Sequence, residues 1–111
     1  MLKIDFLFWK ECPSHPKAWE RLKEALDQMG LAAEIRRIEV KTDEDAAAQC
    51  FPGSPTIRVN GTDIDPEGAC KQPVSLSCRI YHAAGGRVTP LPPVELIQKA
   101  LEKESKKGGS P

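Results

Sequence analysis

Leu2, Ile4, Phe6 and Phe8 alternate at the start of the chain, and Leu7 and Trp9 add apolar bulk on the opposite face. A period of two predicts a strand, buried on both sides toward its C-terminal end. The period then changes. Trp19, Leu22, Leu26 and Met29 recur at helical spacing with charged residues between them, and Gly30 is a natural stop. Pro13 and Pro16 suit a first helical turn, so the helix is expected from Ser14 or Pro16 to Met29. Residues 33–40 are rich in β-branched side chains and predict a second strand, parallel to the first through a right-handed crossover. Thr42-Asp43-Glu44-Asp45 caps a short alanine-rich helix ending near Cys50. Phe51 to Pro55 is a loop, Thr56–Val59 a third strand, and Asn60-Gly61 a turn. Residues 62–73 look irregular, with a turn at Asp65-Pro66-Glu67-Gly68. Ser75 to Tyr81 is expected as the fourth strand, Ala84 to Arg87 as a turn, and Pro92 or Pro93 opens a last helix carrying Val94, Ile97 and Leu101. The predicted order is β-α-β-α-β-β-α: an α/β domain over residues 1–104 with a disordered tail over 105–111.

Composition narrows the partners. The 111 residues suit one domain, and 40% hydrophobic against 29% charged is ordinary for a globular chain. Sixteen basic residues balance sixteen acidic ones, which gives no reason to expect nucleic acid or a membrane as partner. Arg36-Arg37 and Lys106-Lys107 are short basic runs of the kind a solvated surface carries. The apolar N-terminal stretch is short, is interrupted by Asp5 and has no cleavage site after it, so a cytoplasmic protein is expected. There thiols stay reduced. Cys12, Cys50, Cys70 and Cys78 therefore look like thiols or transient redox partners. Their spacings of 38, 20 and 8 contain no Cys-x-x-Cys pair, and no structural metal site is expected.

Several segments carry a resemblance. They are Leu7-Phe8-Trp9-Lys10-Glu11-Cys12-Pro13, Arg21 to Leu26, Phe51-Pro52-Gly53-Ser54-Pro55-Thr56-Ile57-Arg58-Val59-Asn60-Gly61, and Leu76-Ser77-Cys78-Arg79-Ile80-Tyr81. With the element order, they resemble small bacterial thioredoxin-like proteins over residues 2–103. The resemblance implies a thioredoxin-like fold: a mixed four-stranded sheet with helices on both faces. It also implies a cis bond before Pro55, beside the reactive cysteine. That arrangement would leave the Ser54 backbone N–H and C=O as a docking edge for an extended substrate, with Ser54, Pro55 and Thr56 lining it. The departure is at His15, which stands where such folds usually carry a second cysteine. Asp5 lies seven residues before Cys12 rather than at the six-residue spacing of the family's buried acid, and is expected on the surface.

Cys12, at a helix N-terminus, meets unpaired N–H groups and the positive end of the helix dipole, both of which favour thiolate. The alternative is a buried, inert thiol. His15, three residues on, either stabilises the thiolate as a cation or relays a proton when neutral; the alternative is a solvated first-turn residue. Histidine cannot resolve a mixed disulfide. Resolution then falls to an external thiol or to Cys78, whose strand is expected to run antiparallel beside the third; alternatively Cys78 is a core residue sharing a face with Leu76 and Ile80. Cys50 is expected partly buried and Cys70 exposed.

The leading functional expectation is a thiol–disulfide oxidoreductase or redox adaptor. Its nucleophile is Cys12, helped by His15 and Cys78, acting on protein or small-molecule disulfides with an external thiol reductant. No cofactor is built in, and glutathione is a candidate co-substrate. The alternatives are a soft-metal or thiophilic-compound binder using Cys12 with Cys78 or His15, and a non-catalytic interaction module.

Overall fold

Alternation in the first strand has a physical origin in the two cores it serves. In the computed structural model, which describes residues 2–108, strand β1 spans Leu2–Phe8. Leu2, Ile4 and Phe6 enter one buried cluster, while Leu7 enters another with Val40, Ala46 and Phe51. β1 therefore sits inside the sheet. It pairs parallel with β2 (Ala33–Glu39) and antiparallel with β3 (Thr56–Val59). Asn60 and Gly61, with φ of 52° and 84°, make the tight turn that a two-residue hairpin needs. The turn leads into β4 (Thr62–Asp63), which closes the mixed sheet in the order β2-β1-β3-β4.

Helices cover both faces. Helix α1 (His15–Met29) presents Ala18, Leu22, Ala25 and Leu26 to the larger cluster, as its apolar spacing predicts, and ends at Gly30. Helix α4 (Val94–Gly108) adds Ile97 and Leu101 to the same cluster. Helix α2 (Asp43–Gln49) packs Ala46 on the opposite face. Thr42 caps it by accepting a hydrogen bond from the Asp45 N–H at 3.0 Å, and three acidic residues fill its first turn, where the helix dipole favours them. On the sheet surface, Asp5 faces Arg36 across the parallel register and pairs with it at 2.8 and 3.1 Å.

The second half departs from expectation. The fourth strand of the sheet is Thr62–Asp63, not Ser75 to Tyr81. β3 already lies between β1 and β4, so neither of its edges is free for a further strand. The Ser75–Ile80 segment instead touches the sheet's end at one point, a parallel bridge between Ser54 and Cys78. Pro55 has no N–H, so it cannot donate to a ladder continuing from that bridge. Residues 66–71, expected as irregular, form the short helix α3 (Pro66–Lys71), capped by Asp65, whose carboxylate accepts from the Gly68 N–H at 3.2 Å. β5 (Tyr81–His82) and β6 (Val88–Thr89) pair as a separate two-stranded ribbon.

The expected domain boundary at 104 falls inside α4, which runs on to Gly108, so residues 105–108 are helical rather than a disordered tail. The rest of that expected tail, 109–111, lies outside the described residues. Among the described residues, no helix is long and apolar enough to cross a membrane.

Candidate functional site

Cys12 follows β1 in a tight turn. Its N–H donates to the Trp9 carbonyl at 2.9 Å, and the Trp9 N–H donates to Ser54 Oγ at 3.0 Å. The turn lies two residues ahead of Ser14, the N-cap of α1, so Cys12 precedes the helix rather than sitting in it. Its side chain is 1% exposed, and its Sγ lies 3.4 Å from the Ser54 carbonyl oxygen, to which the thiol donates. The Ser54–Pro55 bond is cis, and Ser54, Pro55 and Thr56 are all buried. The Thr56 hydroxyl donates to the Gly53 carbonyl at 2.6 Å, and the Tyr81 hydroxyl donates to the Pro55 carbonyl at 2.5 Å. Burial keeps the Tyr81 phenol protonated, far above its usual range.

The expected open edge at Ser54 is closed. Its N–H donates to the Ser77 carbonyl at 2.7 Å, and its carbonyl accepts from the Arg79 N–H at 2.9 Å. Both bonds bracket Cys78. The bridge sets the Cys78 Sγ 3.9 Å from the Cys12 Sγ. Cys78 is exposed, as is its neighbour Ile80, so neither is a core residue. Partial desolvation of the sulfur, the charge of a Cys12 thiolate and the hydrogen bond between the two sulfurs all push the Cys78 pKa up.

An irregular segment needs anchors, and besides the Ser54 bonds this one has three. The largest is Arg79, which no local sequence pattern marks. Its side chain is wholly buried, and it donates to both Asp63 carboxylate oxygens at 2.7 Å each. It also donates to Thr56 Oγ1 at 3.3 Å and the Asp65 carbonyl at 3.1 Å, and lies over the Tyr81 ring at 4.5 Å. A forked guanidinium meeting a carboxylate through two parallel bonds fixes orientation as well as position. The second anchor is Gln72, whose side chain bonds both backbone groups of Ile80 at 2.7 and 3.0 Å. The third is the Ser75 N–H, which donates to the Phe51 carbonyl at 3.1 Å. Gly53 allows the approach: a Cβ there would stand 2.9 Å from the Arg79 Cα and N.

His15 belongs to a different cluster. Its ring packs on Phe8 at 4.8 Å, and Arg37 lies over Phe8 and Trp19. Burial lowers the His15 pKa, against a backbone hydrogen bond at Lys10 that raises it, and the Arg37 charge lowers it further. The imidazole is thus biased toward its neutral form, and its Nδ1 has no hydrogen-bond partner. Among the described residues, no hydrogen bond joins His15 to Cys12 or Cys78. The structure brings together Cys12, Cys78, Ser54 and Thr56, and leaves His15 at the margin. Cys50, expected partly buried, is exposed at the end of α2, and Cys70 is exposed.

A family model described as a domain of unknown function, DUF2703, matches residues 14–101. The chain belongs to this family. The matched span of DUF2703 contains His15, Ser54, Pro55, Thr56, Asp63, Cys78 and Arg79, and starts just after Cys12. No curated protein and no solved structure matches the chain.

The two sulfurs lie 3.9 Å apart. A disulfide needs sulfurs about 2.05 Å apart, a closure of about 2 Å. Closing that gap requires rotation of the exposed Cys78 side chain and a small shift of its segment. The same sulfurs also form a two-thiolate donor set. Among the described residues, no group of three or more His, Cys, Asp or Glu side chains could hold a metal ion.

Proposed function

We propose that this protein carries out thiol–disulfide exchange on a thioredoxin-like fold, with Cys12 and Cys78 as its two-electron couple. The observation that carries the reading is the 3.9 Å separation of the two sulfurs. The strand order β2-β1-β3-β4, the helices on both faces and the cis Pro55 beside Cys12 support the fold assignment. In the reducing direction the two thiols lose two protons and two electrons to an external disulfide. The Cys12–Cys78 bond forms as the external S–S bond breaks, and two external thiols leave. A thiol reductant, glutathione or a dithiol protein, returns the couple to its reduced form. The absent Cys-x-x-Cys partner is thereby replaced by a sulfur from a distant segment. A cytoplasmic setting, where thiols are kept reduced, suits such a cycle.

The test uses the full chain. Treatment with a limiting disulfide should convert the reduced protein to a species two hydrogens lighter, with Cys12 and Cys78 in one cross-linked peptide. Reduction of a protein disulfide should be lost in Cys12→Ser while the circular dichroism spectrum is retained. Full activity in Cys12→Ser overturns the reading. A soft cation held by the two sulfurs, with no disulfide formed on oxidation, would replace it with the metal-binding alternative.

A further inference from the structure

Exchange between a disulfide and a thiol is directional. The attacking sulfur approaches along the S–S axis, on the side opposite the sulfur that leaves, and access decides which of the two sulfurs is attacked. The two cysteines differ sharply in this respect. Cys12 is 1% exposed and has the Ser54 carbonyl, itself bonded to the Arg79 N–H, 3.4 Å from its sulfur. Cys78, 3.9 Å away, is exposed.

A second observation points the same way. The backbone groups of Ser54 bond to Ser77 and Arg79, the residues on either side of Cys78. An extended substrate bound at that edge would pair through these groups and present its own sulfur to Cys12. The chain's own segment holds that place, and Arg79 pins it through a buried ion pair with Asp63. Cys12 is therefore served by an internal sulfur rather than an external one.

We propose that external partners exchange through Cys78, with Cys12 acting as the sheltered internal sulfur, the reverse of the order expected from the sequence. This rests on the exchange reading above. In the reductive half, an external thiolate attacks Cys78 Sγ of the Cys12–Cys78 disulfide. The electron pair of that bond passes to Cys12, which leaves as thiolate. The new bond joins Cys78 to the external sulfur, and a second external thiol attacks that external sulfur, releasing Cys78. Two external thiols become one external disulfide. Run backward, Cys78 attacks an incoming disulfide and Cys12 expels the second external thiol. Burial of Cys12 also keeps its sulfur from being captured by unrelated disulfides. Arg79 is a positioning residue in this scheme.

The experiment uses the full chain carrying Cys50→Ser and Cys70→Ser, which removes the two other exposed thiols, and oxidised glutathione as probe. Adducts are located by peptide mass spectrometry, with equal reactivity in denaturant as the control. In Cys12→Ser the adduct should form on Cys78. In Cys78→Ser the adduct on Cys12 should form about ten-fold more slowly or less, because the covering segment must open first. Adding Gly53→Ala to Cys78→Ser should recover part of that rate by lifting the segment. Equal or faster reaction at Cys12, with the internal disulfide still forming in the parent, overturns the order of attack and leaves the exchange reading standing. Failure of the parent to form the internal disulfide at all overturns both.

Discussion

Cys12 and Cys78 arrive at one point by opposite routes. Cys12 is placed locally: a strand with two buried faces ends, a tight turn follows, and a helix begins within a few residues. Cys78 sits in a segment with no regular structure of its own, placed by bonds to Ser54, Phe51, Asp63 and Gln72. The first placement is as stable as the sheet. The second is as stable as its anchors. A site assembled from one fixed and one tethered sulfur can change the tethered half without losing the fold.

Breaking the main tether has the largest expected effect. Arg79→Met leaves the Asp63 carboxylate mostly buried without its partner, and should cost about 3–5 kcal/mol, read as a lower urea midpoint. Formation of the Cys12–Cys78 disulfide should fall with it; an unchanged yield would mean that the ion pair does not place Cys78. Gly53→Ala drives a methyl against the Arg79 backbone from a residue at φ 125°, and should cost about 1–3 kcal/mol. Its signature is faster alkylation of Cys12 as the covering segment lifts. Thr42→Ala sharpens the contrast from the other side. It removes the α2 cap at about 1 kcal/mol, yet should leave the disulfide yield unchanged because α2 carries none of the anchors.

Two smaller effects depend on pH. The folded-state pKa of His15 lies below the ordinary 6.5. The unfolded chain therefore binds the proton more readily, so stability is full above about 6.5 and declines as pH falls through the folded pKa. Urea midpoints measured across that window should show the decline, and His15→Asn should flatten it. At Cys78, partial desolvation and the Cys12 charge raise the pKa. Cys12→Ser removes the charge, so the pH midpoint for Cys78 alkylation should move down.

Much of the first sixty residues was legible because each element there repeats a period long enough to read. Leu2, Ile4 and Phe6 declare a strand; Leu22, Leu26 and Met29 declare a helix; Thr42 declares a cap. Between Gly61 and the last helix that signal fails, and it returns where Ile97 and Leu101 declare α4. Thr62–Asp63 is too short to show alternation, although the Asn60-Gly61 turn that creates it was plain. Asp65-Pro66 had the cap and first-turn proline of a helix, but six residues carry no apolar period. Leu76, Cys78 and Ile80 do alternate, yet β3 had no free edge to pair with them. The resemblance to thioredoxin-like proteins pointed to Pro55 and its cis bond, and the structure has that bond. The open substrate edge it implied is instead filled by the protein's own backbone.

Local pattern alone places Cys12 between a buried strand and an amphipathic helix, because burial patterns and turn residues act over neighbouring positions. It could not determine that Cys78 would stand 3.9 Å from it, sixty-six residues later. That depends on which edges of the sheet remain free and on a buried Arg79–Asp63 pair, and both are set only when the elements pack.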